Sequence, residues 1–253
     1  MHYVVGDIGN TSTRVCLLND NFEIKKSIIF DTKKIFIHGY VKKILKKILK
    51  KNIDKKILFS SVVPNAFKKI GNILKNTDLK IIEIKHLKLN RLIKINIENI
   101  YQLGSDRIVN SIEGKKFKNC LIIDFGTATT FDIVKNGVYE GGVIAPGVKL
   151  SMKNLNQSTA LLPKFNLKNK QKSFGKNTKD ALNAGFIWGY EGLINNIINK
   201  ITFKWKMNYK IILTGGYAIF FKKIIKKKTI VDRDITIKGI SKVYKELLWP
   251  KNN

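Results

Sequence analysis

Apolar and polar positions along this chain of 253 residues fall into two successive blocks, each mixing short apolar runs with helical stripes. Tyr3–Asp7 is an apolar run closed by an acid. Turn residues Gly9–Ser12 follow, and Thr13–Leu18 is apolar again, the pattern of a β-hairpin. Val41, Ile44, Leu45, Ile48 and Leu49 recur at helical spacing, with Lys at 42, 43, 46, 47, 50 and 51. That spacing predicts an amphipathic helix whose apolar stripe packs on a core and whose basic face meets solvent. Ile57–Val63 reads as a buried strand closed by Pro64, and Lys80–Ile84 as another. A helix opens near Asp106 and ends around Gly114, and Glu113–Asn119 is a polar boundary.

The second block restarts the plan. Strands are predicted at Cys120–Asp124 and Thr129–Val134. Val138–Gly147 carries GGVIAPG, which reads as a glycine-proline loop rather than a regular element. A long helical pattern covers Lys179–Lys200. Lys210–Thr214 is an apolar strand feeding Gly215–Gly216, and Tyr217–Ile225 reads as the next helix. Strands mixed with helices, twice over, predict two α/β domains, 1–117 and 118–253, with the cleft between them as the expected ligand site.

Composition narrows the function classes. No apolar run approaches the ~18–20 residues of a membrane span. The N-terminus runs directly into a strand without a basic n-region or a small-residue cleavage site, so a cytoplasmic protein with no membrane partner is expected. Cys16 and Cys120 lie in apolar strands and read as buried free thiols. His2, His38 and His86 are scattered, which argues against a zinc site or a His-based hydrolase. The formal charge is +30, yet only four of the 48 basic residues are Arg. Readers of nucleic acid lean on Arg for bidentate and stacking contacts. Lys spread evenly beside abundant Ile and Asn is the texture of an AT-rich genome. No specific nucleic-acid partner is therefore expected, only salt-sensitive non-specific binding.

The candidate chemistry lies where the two blocks repeat each other. Tyr3–Thr13 (YVVGDIGNTST) and Cys120–Thr130 (CLIIDFGTATT) each run from an apolar strand into Asp-x-Gly and small hydroxyl residues. The acid can hold a metal ion, the glycine lets backbone approach an anion, and hydroxyl and N–H groups donate to phosphate oxygens. Two such turns suggest a nucleotide held between similar domains. The chain has no Walker A loop, no G-x-G-x-x-G and no G-x-S-x-G, so the phosphate site must be of another build.

Four segments supply one: Asp7-Ile8-Gly9-Asn10-Thr11-Ser12-Thr13-Arg14, Gly104-Ser105-Asp106-Arg107, Asp124-Phe125-Gly126-Thr127-Ala128-Thr129-Thr130 and Thr214–Ala218, with Gly141–Gly147 in support. In this order and spacing the chain resembles the type III pantothenate kinases, a branch of the acetate and sugar kinase/heat-shock chaperone/actin superfamily. The resemblance runs from Tyr3 to Asp234–Ile240 (DITIKGI). GSDR followed by DFGTATT and GGVIAPG is its specific part; the Asp-x-Gly turns alone mark only the superfamily.

The resemblance implies two ribonuclease H-like domains in the actin-like ATPase arrangement. It implies transfer of the ATP γ-phosphoryl group to pantothenate, giving 4'-phosphopantothenate and opening coenzyme A biosynthesis. Mg²⁺, a monovalent cation (K⁺ or NH₄⁺) and a homodimer are implied with it. By the same resemblance Asp7 to Arg14 wrap the triphosphate, with Asp7 near Mg²⁺ and Arg14 where the family usually has Lys. Asp106 is the expected general base, since a primary alcohol attacks only when its proton can leave to an acceptor. Gly104, Ser105 and Arg107 join Asp106 in binding the substrate, with Gly104 leaving room for its backbone. Asp124 matches the position that contributes to the monovalent-cation site and Thr127 one that contacts ATP. Thr178 matches a threonine that contacts pantothenate across the dimer; Asn177 and Thr178 also read as a helix N-cap. Gly215–Gly216 would pass close to the adenine ring. Ile97 stands where the family usually has a tyrosine against pantothenate. Another small-molecule kinase of the same fold, or a nucleic-acid-binding regulator on a decayed kinase scaffold, are the alternatives.

Overall fold

The computed structural model describes residues 1–49, 52–168, 173–205 and 209–249; Lys50 and Lys51 of the predicted basic helix lie outside them. The chain forms two compact units. The first comprises Met1–Lys116, Gly137–Tyr139 and Asp234–Asn253, and the second Phe117–Asn136 and Glu140–Arg233.

The first unit is built on β1 (His2–Ile8), β2 (Ser12–Leu18), β3 (Ile24–Asp31), β4 (Ile53–Ser61) and β5 (Lys80–Glu83), in spatial order β3-β2-β1-β4-β5. The first three strands form an antiparallel meander, and β4 and β5 run parallel to β1. Central β1 is apolar on both faces because both are covered. Val4 and Ile8 join Leu17, Ile57 and Phe59 under α1 (Tyr40–Ile48) and α2 (Pro64–Leu74). Tyr3 and Val5 join Cys16, Leu18 and Leu58 on the other face, under α3 (Ser105–Gly114). Strand parity then puts Asp7 on the α3 face, and parallel register sets it beside Ser60 of β4. On the opposite face Gly6 is required: a Cβ there would lie 2.2 Å from the Phe59 ring. In α1 the stripe Val41, Ile44, Leu45 and Ile48 is buried, as its spacing predicts. Pro64 closes the strand and also opens α2, where a missing N–H costs nothing. A two-residue strand, β6 (Lys94–Ile95), pairs with Val138 and Tyr139.

The second unit repeats the plan with β7 (Cys120–Phe125), β8 (Ala128–Lys135), β9 (Val138–Pro146), β10 (Lys210–Gly215) and β11 (Thr229–Val231), in order β11-β10-β7-β8-β9. The β7–β8 hairpin is antiparallel, and β10 runs parallel to β7. Helices α4 (Val148–Gln157), α5 (Thr178–Trp205) and α6 (Ala218–Lys222) complete it. Leu121, Ile123 and Phe131 pack against Tyr190, Ile194 and Ile198 of α5 and Phe221 of α6. One expectation is corrected here: GGVIAPG lies in strand β9, not in a loop. Gly141 absorbs a φ of +101° inside the strand, and Pro146 closes it, where no ladder N–H is needed.

The C-terminal helix α7 (Ile235–Leu247) belongs to the first unit. Ile237, Ile240, Val243 and Tyr244 are buried in the Tyr3–Val5 core, and the Tyr244 hydroxyl donates to the Lys56 carbonyl, 3.0 Å away. Gly239 is where α7 meets α3, since a Cβ would come within 2.0 Å of the Val109 carbonyl oxygen. The expected span 118–253 follows chain order, whereas packing returns this last helix to the first half.

Candidate functional site

In the first unit the Asp7–Arg14 segment spans the end of β1, a tight turn and the start of β2. The turn is closed by Gly9 N–H donating to the Ser12 carbonyl at 3.0 Å. Asn10, Thr11 and Ser12 are exposed, so their polar groups face solvent. Ile8 and Thr13 are completely buried, which leaves only their backbone to meet a ligand. Arg14 is held inside the unit: Nη1 pairs with Asp234 Oδ1 at 2.7 Å, and Nε donates to Ser27 Oγ at 2.8 Å.

Asp7 Oδ1 is shut off from solvent and makes no hydrogen bond. Desolvation lifts the Asp7 pKa to about 7, and the nearby Asp106 charge adds to the rise; the Ser60 hydroxyl and the Arg14 charge oppose it. A carboxylate oxygen left unmatched below the surface is costly unless a cation or proton meets it. Asp7 therefore fits a Mg²⁺ site. Such a site uses one or two carboxylates, substrate phosphates and water rather than a full protein cage.

Asp106 sits in the first turn of α3. Its Oδ1 accepts the Arg107 N–H at 2.8 Å. Burial raises its pKa, while the Arg107 N–H and guanidinium and the Lys85 charge pull it down. A Cβ on Gly104 would come within 2.4 Å of Asp106 Oδ1, so this glycine makes room for the Asp106 carboxylate. Ser105 is completely buried and its hydroxyl is consumed by β4. It donates to the Ser61 carbonyl at 2.9 Å, accepts the Ser61 N–H at 2.8 Å and lies 3.2 Å from Ser60 Oγ. Ser105 thus latches the start of α3 to the end of β4, next to Asp7. Sequence reasoning had no signal for Ser60, whose neighbours arise only from strand register. Ile97 is partly buried against the α3-side core, and Tyr101 is 87% exposed.

The second unit carries the matching turn. Asp124 is next to last in β7, in register with Thr130 of β8 and Thr214 of β10. Glycines crowd around it. Gly215 has φ +82°, and a Cβ there would lie 2.4 Å from Asp124 Oδ1; a Cβ on Gly147 would lie 1.9 Å from the Thr127 carbonyl oxygen. Thr127 is exposed at the tip of the turn, and Gly216 N–H donates to the Phe125 carbonyl at 3.1 Å. Thr178 is the first residue of α5. Asn177, not Thr178, caps that helix: its Oδ1 accepts the Asp180 N–H at 2.9 Å. The exposed Thr178 instead lines an apolar cavity of about 590 Å³ with Leu155, Leu182, Phe186 and Tyr190.

Two ribonuclease H-like units, each with an Asp-x-Gly turn at the end of its first strand, place the chain in the actin-like ATPase fold class. The fold of a protein from Sinorhizobium meliloti, provisionally assigned as a 2-dehydro-3-deoxygalactonokinase, superposes with a TM-score of 0.65 over 99% of this chain and 98% of that one, at 12% identity. Residues 3–200 match the type III pantothenate kinase family. A type III pantothenate kinase of Pelagibacter ubique is 48% identical over 94% of this chain and 96% of its own length. One of Fervidobacterium nodosum is 35% identical over 95% and 96%. The chain belongs to the type III pantothenate kinase family.

Proposed function

We propose that the protein transfers the γ-phosphoryl group of ATP to the primary hydroxyl of pantothenate, forming 4'-phosphopantothenate and ADP, the opening step of coenzyme A synthesis. The observation that supports it most is the pair Asp7 and Asp106. Two carboxylates of different environment share one sheet face, one with an unmatched oxygen and one poised at a helix start.

Phosphoryl transfer depends mainly on positioning and charge neutralisation. Backbone N–H groups and exposed polar side chains of the Gly9–Ser12 turn bind the triphosphate. Asp7 is the residue that would hold Mg²⁺, which neutralises phosphate charge when bound. Asp106 accepts the hydroxyl proton as the alcohol oxygen bonds to the γ-phosphorus and the bond to the bridging oxygen breaks, releasing ADP. Arg107, next to it in α3, orients the substrate, and its charge opposes the rise that burial gives the Asp106 pKa. Asp124 is the candidate ligand for the monovalent cation, K⁺ or NH₄⁺, and Thr127 a further ATP contact. Arg14, tied to Asp234 and Ser27, supports the turn from behind.

A homodimer fits the exposed apolar cavity beside Thr178, and a cytoplasmic setting fits two buried free thiols. No helix among the described residues is long and apolar enough to cross a membrane. A coupled ADP-release assay tests the activity. Turnover should require pantothenate and should not be supported by a panel of sugars and amino sugars. Turnover with a sugar but not with pantothenate would assign the chain to another small-molecule kinase.

A further inference from the structure

Thr32 has no place in the motifs, yet it holds the turn that the proposed function gives to the triphosphate. It opens a 3-10 turn, Thr32–Phe36, directly after β3. The β2–β3 ladder pairs Ser12 with Asp31 and so brings Thr32 under the Gly9–Ser12 turn. Asp31 accepts the Lys33 N–H at 2.9 Å and fixes the start of that 3-10 turn. Thr32 is 3% exposed and Thr13 0%.

Three bonds converge on Thr32. Its hydroxyl donates to the Gly9 carbonyl at 2.6 Å, and its N–H donates to the Thr11 carbonyl at 3.0 Å. Thr13 Oγ1 lies 3.0 Å from Thr32 Oγ1. Because the single Thr32 hydroxyl proton is used on Gly9, Thr13 is the donor in that contact. Two carbonyls of the turn are thereby turned onto Thr32. A carbonyl oxygen facing a triphosphate would repel it, whereas a turn with its carbonyls engaged behind can offer N–H groups to an anion.

We infer that Thr32 is a positioning residue for the nucleotide, its hydroxyl holding the Gly9 carbonyl away from the triphosphate. The inference rests on the reading of Asp7–Arg14 as the phosphate turn. Thr32→Val keeps the shape and removes the hydroxyl; Thr32→Ser keeps the hydroxyl. In steady-state kinetics, Thr32→Val should raise KM for ATP about tenfold, the loss expected for one buried hydrogen bond set. KM for pantothenate should stay within about twofold, and Thr32→Ser should restore KM for ATP to near the parent value. The dissociation constant of a non-hydrolysable ATP analogue should rise in step. If Thr32→Val does not fold, Thr32→Ala against Thr32→Ser makes the same comparison.

A lowered melting temperature with KM for ATP unchanged, or equal increases in both KM values, would overturn the inference. Asn10→Ala, on the exposed side of the turn, separates the two ideas. If it raises KM for ATP while the Thr32 variants do not, only the role of Thr32 fails. If neither changes KM for ATP, the phosphate-turn reading fails with it.

Discussion

At the residue scale, environment separates two aspartates, Asp7 and Asp106. In the proposed reaction Asp106 needs only to receive a proton, and Asp106→Asn keeps its shape while removing that capacity. Its kcat should fall on the order of 10²–10⁴-fold in the ADP-release assay, with little change in the melting temperature. Asp7 makes a different, measurable prediction. Its folded-state pKa of about 7 lies above the ordinary 3.8, so the folded chain holds this proton over a pH range where the unfolded chain has lost it. The stabilisation is full below the ordinary value and fades as pH rises through about 7. In metal-free and nucleotide-free buffer the melting temperature should therefore drop between those limits, and Asp7→Asn should flatten the drop. The Asp-x-Gly pattern made Asp7 legible, and the GSDR segment Asp106. It could not say that Gly104 clears space for Asp106, or that Ile8 and Thr13 are buried, because those facts come from neighbours far along the chain.

At the element scale, the site depends on how α3 is fastened to β4. Ser105 makes that connection with one hydroxyl serving both the Ser61 N–H and its carbonyl. Ser105→Ala leaves those groups unmatched in a buried place and should destabilise the fold by about 1–3 kcal/mol in denaturant titration. A fall in kcat should accompany it, because the start of α3 that carries Asp106 is no longer pinned. Gly215→Ala should be similarly damaging, about 1–3 kcal/mol, since it needs φ +82° and its Cβ would strike Asp124. Activity lost in that variant should not be recovered by raising K⁺ or NH₄⁺. Strands ending in Asp7 and Asp124 and the stripe of α1 were legible because long apolar periodicity outweighs local noise. The strand β9 was not, because Gly141, Gly142 and Pro146 are loop residues in any local reading; pairing with neighbours made them a strand. Helices α2, α4 and α7 were not predicted either; α4, for one, buries only Val148 and so shows no apolar stripe.

At the scale of the whole molecule, α7 decides what folds with what. Its buried Ile237, Ile240, Val243 and Tyr244 complete the core that backs Asp7 and α3. A fragment of residues 1–117 should therefore bind a hydrophobic dye and lack a cooperative melt, while the full chain melts cooperatively. Asp234 stands at the N-cap of the same helix, so its loss would also release Arg14 from one of its partners. The charge of +30 is a property of the whole surface rather than of one site. Binding to DNA should be independent of sequence and largely lost by about 200 mM salt in a filter or polarisation assay.

What the sequence determined by itself was the duplicated strand–Asp–Gly plan, the family, and the identity of the acids, because these depend on local patterning and on motifs contiguous in the chain. The tertiary structure alone decided that Asp7 stands beside Ser60, that Ser105 is a latch, that Thr32 bonds the Gly9 and Thr11 carbonyls, and that the last helix returns to the first unit. The reason is physical. Strand register and helix docking join residues tens to hundreds of positions apart, and the free energy that selects those pairings comes from shared burial, which no local window contains.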